Sequence, residues 1–307
     1  QECWTRVALL TMHSCPLGPA GERDTGGMNV YVTELARELA SRDFCVDIFT
    51  RYHTPRDPEI VPVGSKTRVI HVPAGPPDAK KEALSGHVDQ FVTGVEGFAE
   101  REGLEYHLIH SHYWLSGQAG LELSKRWSAP HMVSFHTLAE TKTEAFPENT
   151  EIADRAPAES QIAKSADRII AWTEHEAASL VEKYGAPPER IAIAPIGVDL
   201  ERFSVRESDQ ARRRLGIELE DEVVLYVGRL DAIKGPRILL GAASRLRHRP
   251  RLRVIIVGGD QADGDTARLR ELSRELGLGE RVTFVGSVLH EELPWYYSAA
   301  SVQVVPS

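Results

Sequence analysis

Two basic residues, Arg229 and Lys234, follow the apolar run Val223–Val227 closely. Such a run is typical of a buried parallel strand, so Arg229 would lie at the carboxyl edge of a sheet, with the turn 231–233 returning Lys234 close to it. Arginine can grip a diphosphate through two parallel hydrogen bonds, and lysine adds a point charge. The pair is a candidate anion site, although the spacing alone somewhat favours two ordinary solvated cations.

A second candidate anion site lies at Gly26 and Gly27, just before an amphipathic helix predicted over Met28–Ser41. Glycine permits close backbone approach, and the start of a helix offers N–H groups and a positive dipole end to a phosphate. A tight strand-to-helix turn with nothing bound is an equal alternative. Neither the G-x-G-x-x-G nor the P-loop pattern occurs here, which argues against a dinucleotide or ATP. Two such half-sites in different halves of the chain favour an enzyme for a phosphorylated substrate held between two domains.

Three histidines, His110, His112 and His136, stand at the ends of two predicted strands. Two imidazoles in His-Ser-His share one face, so a zinc site and a metal-dependent hydrolase have to be weighed. No cysteine pair, H-E-x-x-H pattern or obvious carboxylate ligand completes the set. The preferred interpretation is that His136 contacts a sugar, because histidine offers both a donor and an acceptor.

Four further residues gain interest only as a group: Lys81, Tyr113, Thr137 and Arg155. Tyr113 and Thr137 follow two strand ends, Lys81 lies in a loop, and Arg155 starts a helical stretch. Two cations and two hydroxyls at one rim could hold a phosphate monoester. Each would by default be an exposed surface group, so the proposal depends on their convergence in the fold.

The elements that must position these residues alternate between short β-branched runs and amphipathic stretches, the pattern of parallel sheets with crossover helices. Predicted strands are Arg6–Met12, Val46–Thr50, Val69–Pro73, Leu108–His112, Met132–His136, Arg168–Thr173, Val223–Val227, Arg253–Val257, Val282–Val285 and Val302–Val305. Predicted helices are Met28–Ser41, Glu82–Arg101, Gly117–Trp127, Ala156–Ser165, Glu174–Tyr184, Arg237–Arg247, Thr266–Leu276 and Glu291–Ala299. The break at Ala194–Asp199 predicts two domains, 1–195 and 196–307. The second has only four predicted strands and is expected to be incomplete in this chain.

Composition narrows the class of protein. The chain has 307 residues and a formal net charge of −9, which argues against a general nucleic-acid binder. Its three cysteines, Cys3, Cys15 and Cys45, are a poor disulfide framework, so a reducing compartment is expected. No apolar run approaches the roughly 18 residues of a membrane span, and no signal peptide is evident. A cytoplasmic enzyme is therefore expected.

In combination these segments resemble the retaining GT-B glycosyltransferases of glycosyltransferase family 4. The matching segments, in chain order, are Gly26–Tyr31, His110–Tyr113, Phe135–Thr137, Pro195–Asp199 with Phe203, and Val227–Leu230 with Lys234-Gly235. Within the family the similarity is greatest to the mycothiol-pathway members that transfer N-acetylglucosamine to inositol phosphate, with the sucrose-phosphate synthases next.

The resemblance implies a GT-B fold: two Rossmann-like α/β domains facing across a cleft, an N-terminal acceptor domain and a C-terminal nucleotide-sugar domain. It implies that Arg229 and Lys234 neutralise the donor diphosphate, that Gly27 lets the backbone approach it, and that His136 contacts the transferred sugar. By the same resemblance the acceptor residues are Asn29, Lys81, Tyr113, Thr137 and Arg155, the last four around its phosphate.

The resemblance also implies the chemistry. A sugar would pass with retention of configuration from a nucleotide-sugar, expected to be a UDP-sugar, to a phosphorylated polyol or sugar, with no metal and no other cofactor. Partners are expected to be small molecules, with no nucleic acid, and a homodimer is expected. The family's Glu-x7-Glu motif would begin beyond Ser307. Alternatives are a sucrose-phosphate synthase-type transfer to fructose 6-phosphate and a catalytically inactive sugar-phosphate binding protein.

Overall fold

The computed structural model of the protein describes residues 5–18, 26–145, 152–259 and 264–307. The chain divides into two compact units, and the division along the sequence falls between Ile196 and Gly197. Within the described ranges, no helix is long and apolar enough to cross a membrane. Cys45 is disulfide-bonded, which the number and spacing of the cysteines did not predict. Spacing along the chain does not report which cysteines meet in space.

The first unit is built on an eight-stranded sheet in the order β3-β4-β2-β1-β5-β6-β7-β8. Every neighbouring pair is parallel except β3 with β4. The strands are β1 (Arg6–Leu10), β2 (Cys45–Arg51), β3 (Ile60–Pro62), β4 (Thr67–Val72), β5 (Leu108–His112), β6 (His131–Ser134), β7 (Arg168–Ala171) and β8 (Ile191–Ile193). The six predicted strands are confirmed, whereas the three-residue edge strands β3 and β8 were missed because runs this short carry little pattern.

Among the described residues, six α-helices cover this sheet: α1 (Gly27–Ser41), α2 (Val88–Glu102), α3 (Trp114–Trp127), α4 (Ala139–Ala145), α5 (Ile152–Ser165) and α6 (Glu174–Tyr184). Alternate side chains of β1 lie on opposite faces of the sheet. Val7 and Leu9 pack with α1, while Ala8 and Leu10 belong to the larger core under the other helices. Both faces are buried, as a doubly wound parallel sheet requires. The helix predicted from Glu82 begins instead as a 3₁₀ segment, Lys81–His87, and becomes α-helical at Val88.

The second unit has a four-stranded parallel sheet in the order β11-β10-β9-β12. Its strands are β9 (Glu222–Val227), β10 (Leu252–Val257), β11 (Val282–Gly286) and β12 (Val302–Gln303). Its helices are α7 (Ser208–Leu215), α8 (Pro236–Arg245), α9 (Gly264–Glu275) and α10 (Leu293–Ala299). All four predicted strands and three of these helices are confirmed, and α7 was missed. Each unit is thus a Rossmann-like α/β domain.

Candidate functional site

Two residues at adjacent strand ends of the first domain have an unusual backbone. Tyr113 follows β5 with φ of 76°, and His136 lies two residues beyond β6 with φ of 63°. Residues other than glycine rarely adopt positive φ, and such conformations concentrate at functional sites. The carboxyl edge of β5 and β6 is therefore a candidate ligand site.

The four residues suspected of holding a phosphate come together around the Tyr113 ring. Lys81 Nζ lies 5.7 Å from the ring centroid and Arg155 Cζ lies 4.7 Å from it. Arg155 also donates from Nη2 to the Thr137 carbonyl oxygen at 2.6 Å and to Thr137 Oγ1 at 2.9 Å. We call Lys81, Tyr113, Thr137 and Arg155 the Tyr113 cluster. Two cations and two hydroxyl groups at one strand edge suit a phosphate monoester.

His13 is a member of this neighbourhood that sequence reasoning missed. Its ring lies 4.4 Å from that of Tyr113, centroid to centroid. Its Nδ1 atom is buried and has no hydrogen-bond partner among the described residues. Burial, reinforced by the charge of Lys81, lowers the pKa of His13 well below its ordinary value, so the ring is neutral. The signal available in the sequence was its position just past β1, the strand next to β5.

Arg51, also unnoticed in the sequence, holds the loop that leads to Lys81. Its side chain is buried, and it donates to the carbonyl oxygens of four residues, Tyr52, Pro76, Pro77 and Ala79, at 2.9 to 3.1 Å. Ala79 lies two residues before Lys81. Since a buried guanidinium satisfied by several carbonyls is hard to displace, Arg51 fixes the path of the chain into the cluster.

Asn29, predicted to touch the acceptor, is buried with both ends of its amide engaged. Nδ2 donates to the Cys15 carbonyl oxygen at 2.8 Å, and Oδ1 accepts from Ser14 Oγ at 2.8 Å. Asn29 therefore ties the start of α1 to the loop after β1. Its contact with an acceptor stays a prediction.

Gly27 is the first residue of α1 and is exposed. A methyl group added at Gly26 or Gly27 would meet no atom within 4 Å, and neither residue has a positive φ. The described part of the chain therefore gives no steric reason for glycine, which weakens the alternative of a tight turn. A ligand approaching the backbone would supply the reason.

We expect Gly27→Ala to leave the free energy of unfolding within about 1 kcal/mol of the wild-type value, because alanine is the better helix former. The same substitution should raise the KM for the donor. Chemical denaturation and initial rates check the two halves of this prediction. A donor KM at the wild-type value would show that Gly27 is only a turn residue.

The three histidines form a neutral group in which His110 and His112 are buried and His136 is half-buried. His112 Nδ1 and His136 Nε2 are 3.0 Å apart, and His110 Nε2 is 3.0 Å from Ser134 Oγ. His136 also packs against the rings of Tyr31 and Trp172. Burial lowers the pKa of His110 and of His136 to about 3, and that of His112 well below its ordinary value. A neutral His136 can still donate one hydrogen bond and accept another.

The zinc site considered for these histidines finds no support in their surroundings. In the described ranges, no group of three or more histidine, cysteine, aspartate or glutamate side chains could hold a metal ion. The facing nitrogens of His112 and His136 are hydrogen-bonded to each other. The metal-dependent hydrolase therefore gains no support from the arrangement.

Buried neutral histidines should make the protein acid-sensitive. An unfolded histidine gains a proton below pH 6.5, whereas folded His110 does so only near pH 3. The unfolded state thus binds more protons between these values, and stability falls as pH falls, by about 1.4 kcal/mol per pH unit and proton. We expect His110→Gln, which can still bond to Ser134, to reduce this slope between pH 6.5 and pH 4. Urea denaturation at each pH measures it. Exposed His248→Gln is the control, and a slope unchanged in His110→Gln would contradict the explanation.

On the second domain, Arg229 and Lys234 belong to one turn after β9. Asp231 organises that turn: its carboxylate lies 3.0 Å from Arg229 Nη2 and accepts the Lys234 backbone N–H at 3.2 Å. The 3₁₀ segment Ala232–Lys234 follows. It forms the turn that was expected to bring Lys234 back toward Arg229. Gly235 then has a φ of 66°. The two cations predicted to meet a diphosphate are thus carried on one carboxylate-anchored turn.

The same edge of the second sheet is packed so closely that glycine is required. Gly258 has a φ of 119°, and a Cβ added to it would lie 2.1 Å from the Gly228 carbonyl oxygen. Gly228 immediately precedes Arg229, and its N–H donates to the Val257 carbonyl oxygen at 3.0 Å. Only a residue without a side chain permits this approach. Gly258 therefore fixes the backbone from which Arg229 projects.

Comparison with known proteins agrees with this architecture. The family model described as "Glycosyl transferase 4-like domain" matches residues 26–197, and "Glycosyl transferases group 1" matches residues 207–307. Two D-inositol 3-phosphate glycosyltransferases are similar. That of Kineococcus radiotolerans is 41% identical over 98% of this chain and 72% of its own length, and a second, from Catenulispora acidiphila, is 42% identical over 98% and 73%.

Solved structures show the same fold. A sucrose-phosphate synthase from Thermosynechococcus elongatus superposes with a TM-score of 0.88 at 34% identity, covering 99% of this chain and 75% of that one. The Anabaena protein Alr3699/HepE, in complex with UDP and glucose, superposes with a TM-score of 0.71 at 18% identity, covering 97% and 73%.

Two Rossmann-like domains that match these models and structures define a glycosyltransferase with the GT-B fold. The chain belongs to glycosyltransferase family 4, as the resemblance of its motifs implied.

Proposed function

We propose that this enzyme transfers a sugar from a UDP-sugar to D-inositol 3-phosphate. The observation that carries the proposal is the Tyr113 cluster, which brings Lys81 and Arg155 close to one tyrosine ring beside the Thr137 hydroxyl. Cationic and hydroxyl donors bind a phosphate monoester strongly. The relatives named D-inositol 3-phosphate glycosyltransferase, at 41% and 42% identity, support the choice of this acceptor.

On the donor side, Arg229 and Lys234 bind the diphosphate, Gly27 lets the backbone approach it, and His136 contacts the transferred sugar. The bond from the sugar's anomeric carbon to the diphosphate oxygen breaks on the same face at which the acceptor hydroxyl attacks, which retains configuration. The hydroxyl proton passes to the leaving diphosphate. Arg229 and Lys234 stabilise the charge that develops there, so this scheme needs no metal and no further cofactor.

Transfer to fructose 6-phosphate is less favoured. The sucrose-phosphate synthase of similar fold is 34% identical, below the inositol-type relatives. A phosphate clamp would serve either acceptor, so both belong in the test. The resemblance also leads us to propose that the enzyme is cytoplasmic and acts on small molecules rather than on nucleic acid. It further leads us to propose a homodimer, which analytical ultracentrifugation can check.

Calorimetric titration of the full-length protein, saturated with UDP, tests the acceptor assignment. We expect inositol 3-phosphate to bind at least about tenfold more tightly than inositol, since one charge-assisted hydrogen bond contributes about 1.5–3 kcal/mol. Fructose 6-phosphate should bind more weakly than inositol 3-phosphate. Equal affinity for inositol and its phosphate would contradict the proposed function.

A further inference from the structure

Arg155 is buried to a degree that is unusual for a cation meant to meet a ligand. Only 2% of its surface is exposed. A guanidinium removed from water must be paired and hydrogen-bonded, because the desolvation penalty amounts to several kcal/mol. The principal partner is Glu159, one helical turn further along α5, whose Oε1 accepts from Arg155 Nε at 2.7 Å.

Glu159 is itself held from a different part of the domain. It is fully buried, and its Oε2 accepts the backbone N–H of Ala139, the first residue of α4, at 2.9 Å. The Tyr184 side chain on α6 also hydrogen-bonds to Glu159, and its hydroxyl accepts the N–H of Glu140 at 2.9 Å. The carboxylate thus joins α5, α6 and the start of α4.

These contacts define the orientation of the guanidinium. Its Nε donates to Glu159, its Nη2 donates to Thr137, and its Cζ lies 4.7 Å from the Tyr113 ring centroid. Thr137 and Ala139 belong to one short segment after β6, so Glu159 fixes both the arginine and the backbone that carries the threonine. A group fixed on three sides is preorganised and loses little freedom when an anion binds.

We infer that Glu159 is a positioning residue for the acceptor phosphate: it acts through Arg155 and the segment after β6, without touching the substrate. The inference rests on the proposed function. It makes a prediction opposite to simple electrostatics. Removing a negative charge 2.7 Å from Arg155 would strengthen phosphate binding if charge alone mattered, but it weakens binding if orientation matters.

Glu159→Gln tests this sign. Arg155 Nε and the Ala139 N–H donate to different oxygens of Glu159, and glutamine replaces one of these oxygens with an NH₂ group that cannot accept. We expect the ratio of kcat/KM for inositol 3-phosphate to kcat/KM for inositol to fall about tenfold, mainly through the KM for the phosphate, by analogy with metal sites, where loss of a residue that orients a ligand typically costs about 10–100-fold. Exposed Glu182→Gln controls for loss of a charge. General structural damage would lower both rates and keep the ratio.

A double-variant cycle shows whether Glu159 acts through the arginine. Glu159→Gln should change the ratio by a smaller factor in an Arg155→Ala background than in the wild-type background, because the part of its effect that acts through Arg155 is already lost. An undiminished effect there, or a ratio that stays constant or rises in Glu159→Gln alone, would overturn the inference. If Glu159→Gln does not fold, Glu159→Asp keeps the charge but is too short for both partners and should lower the ratio partially. A wild-type enzyme that does not prefer inositol 3-phosphate would instead refute the proposed function.

Discussion

Replacing Lys234 by alanine is expected to lower the rate of sugar transfer by about 100-fold or more. Preorganised cations at a leaving group stabilise charge that forms only in the transition state, and loss of one such donor typically costs about 10²–10³ in rate. The backbone N–H of Lys234 donates to the Asp231 carboxylate, which holds the turn in place. Alanine keeps this N–H. The fold should therefore survive. Steady-state kinetics and thermal unfolding measure the two effects.

Arg245→Ala is the matched control, because Arg245 is an exposed cation at the other end of α8. It should leave the transfer rate unchanged. A near-normal rate in Lys234→Ala would exclude Lys234 from the donor site and leave Arg229 as the one proposed counter-charge of the diphosphate.

Lys81→Gln is expected to lower kcat/KM for the phosphorylated acceptor by about 10- to 100-fold. The estimate follows from the 1.5–3 kcal/mol of a charge-assisted hydrogen bond. The Lys81 Nζ lies 5.7 Å from the Tyr113 ring centroid, and Arg155 Cζ lies 4.7 Å from the same centroid. The effect should appear with inositol 3-phosphate and be much smaller with inositol. Initial rates with the two acceptors measure it.

The neighbouring lysine supplies the control. Lys80 is exposed and precedes the 3₁₀ segment that begins at Lys81, so Lys80→Gln removes the same charge one residue away. A kcat/KM equally reduced in both variants would mean that the charge acts at long range, and the Tyr113 cluster would lose its status as a phosphate clamp.

Much of the fold could be predicted from the sequence because its parallel strands are buried on both faces. Segments such as Val7–Leu10 and Val223–Val227 are almost continuously apolar, and that pattern survives without knowledge of neighbours. The edge strand Ile60–Pro62 could not be found, since it has three residues and pairs antiparallel on one side only. A hydrophobic pattern in the sequence reflects burial, and a short edge strand buries too few residues to produce one.

The site was predictable only where side chains follow strand ends. Tyr113 and His136 could be named because parallel strands place their carboxyl ends on one edge. Arg51 and Glu159 could not, because their roles depend on partners in loops, such as the carbonyls at 76–79 and the N–H of Ala139. No local pattern marks a buried ion whose partners are supplied by the fold.

The most direct test is a product mass spectrum from full-length protein given UDP-N-acetylglucosamine or UDP-glucose, with inositol 3-phosphate and fructose 6-phosphate competing. We predict a glycosyl-inositol phosphate as the dominant product, formed with release of UDP. Sucrose phosphate as the dominant product would contradict the assignment of the acceptor. No transfer product from either acceptor would contradict the central claim that the Tyr113 cluster receives a phosphorylated acceptor for sugar transfer.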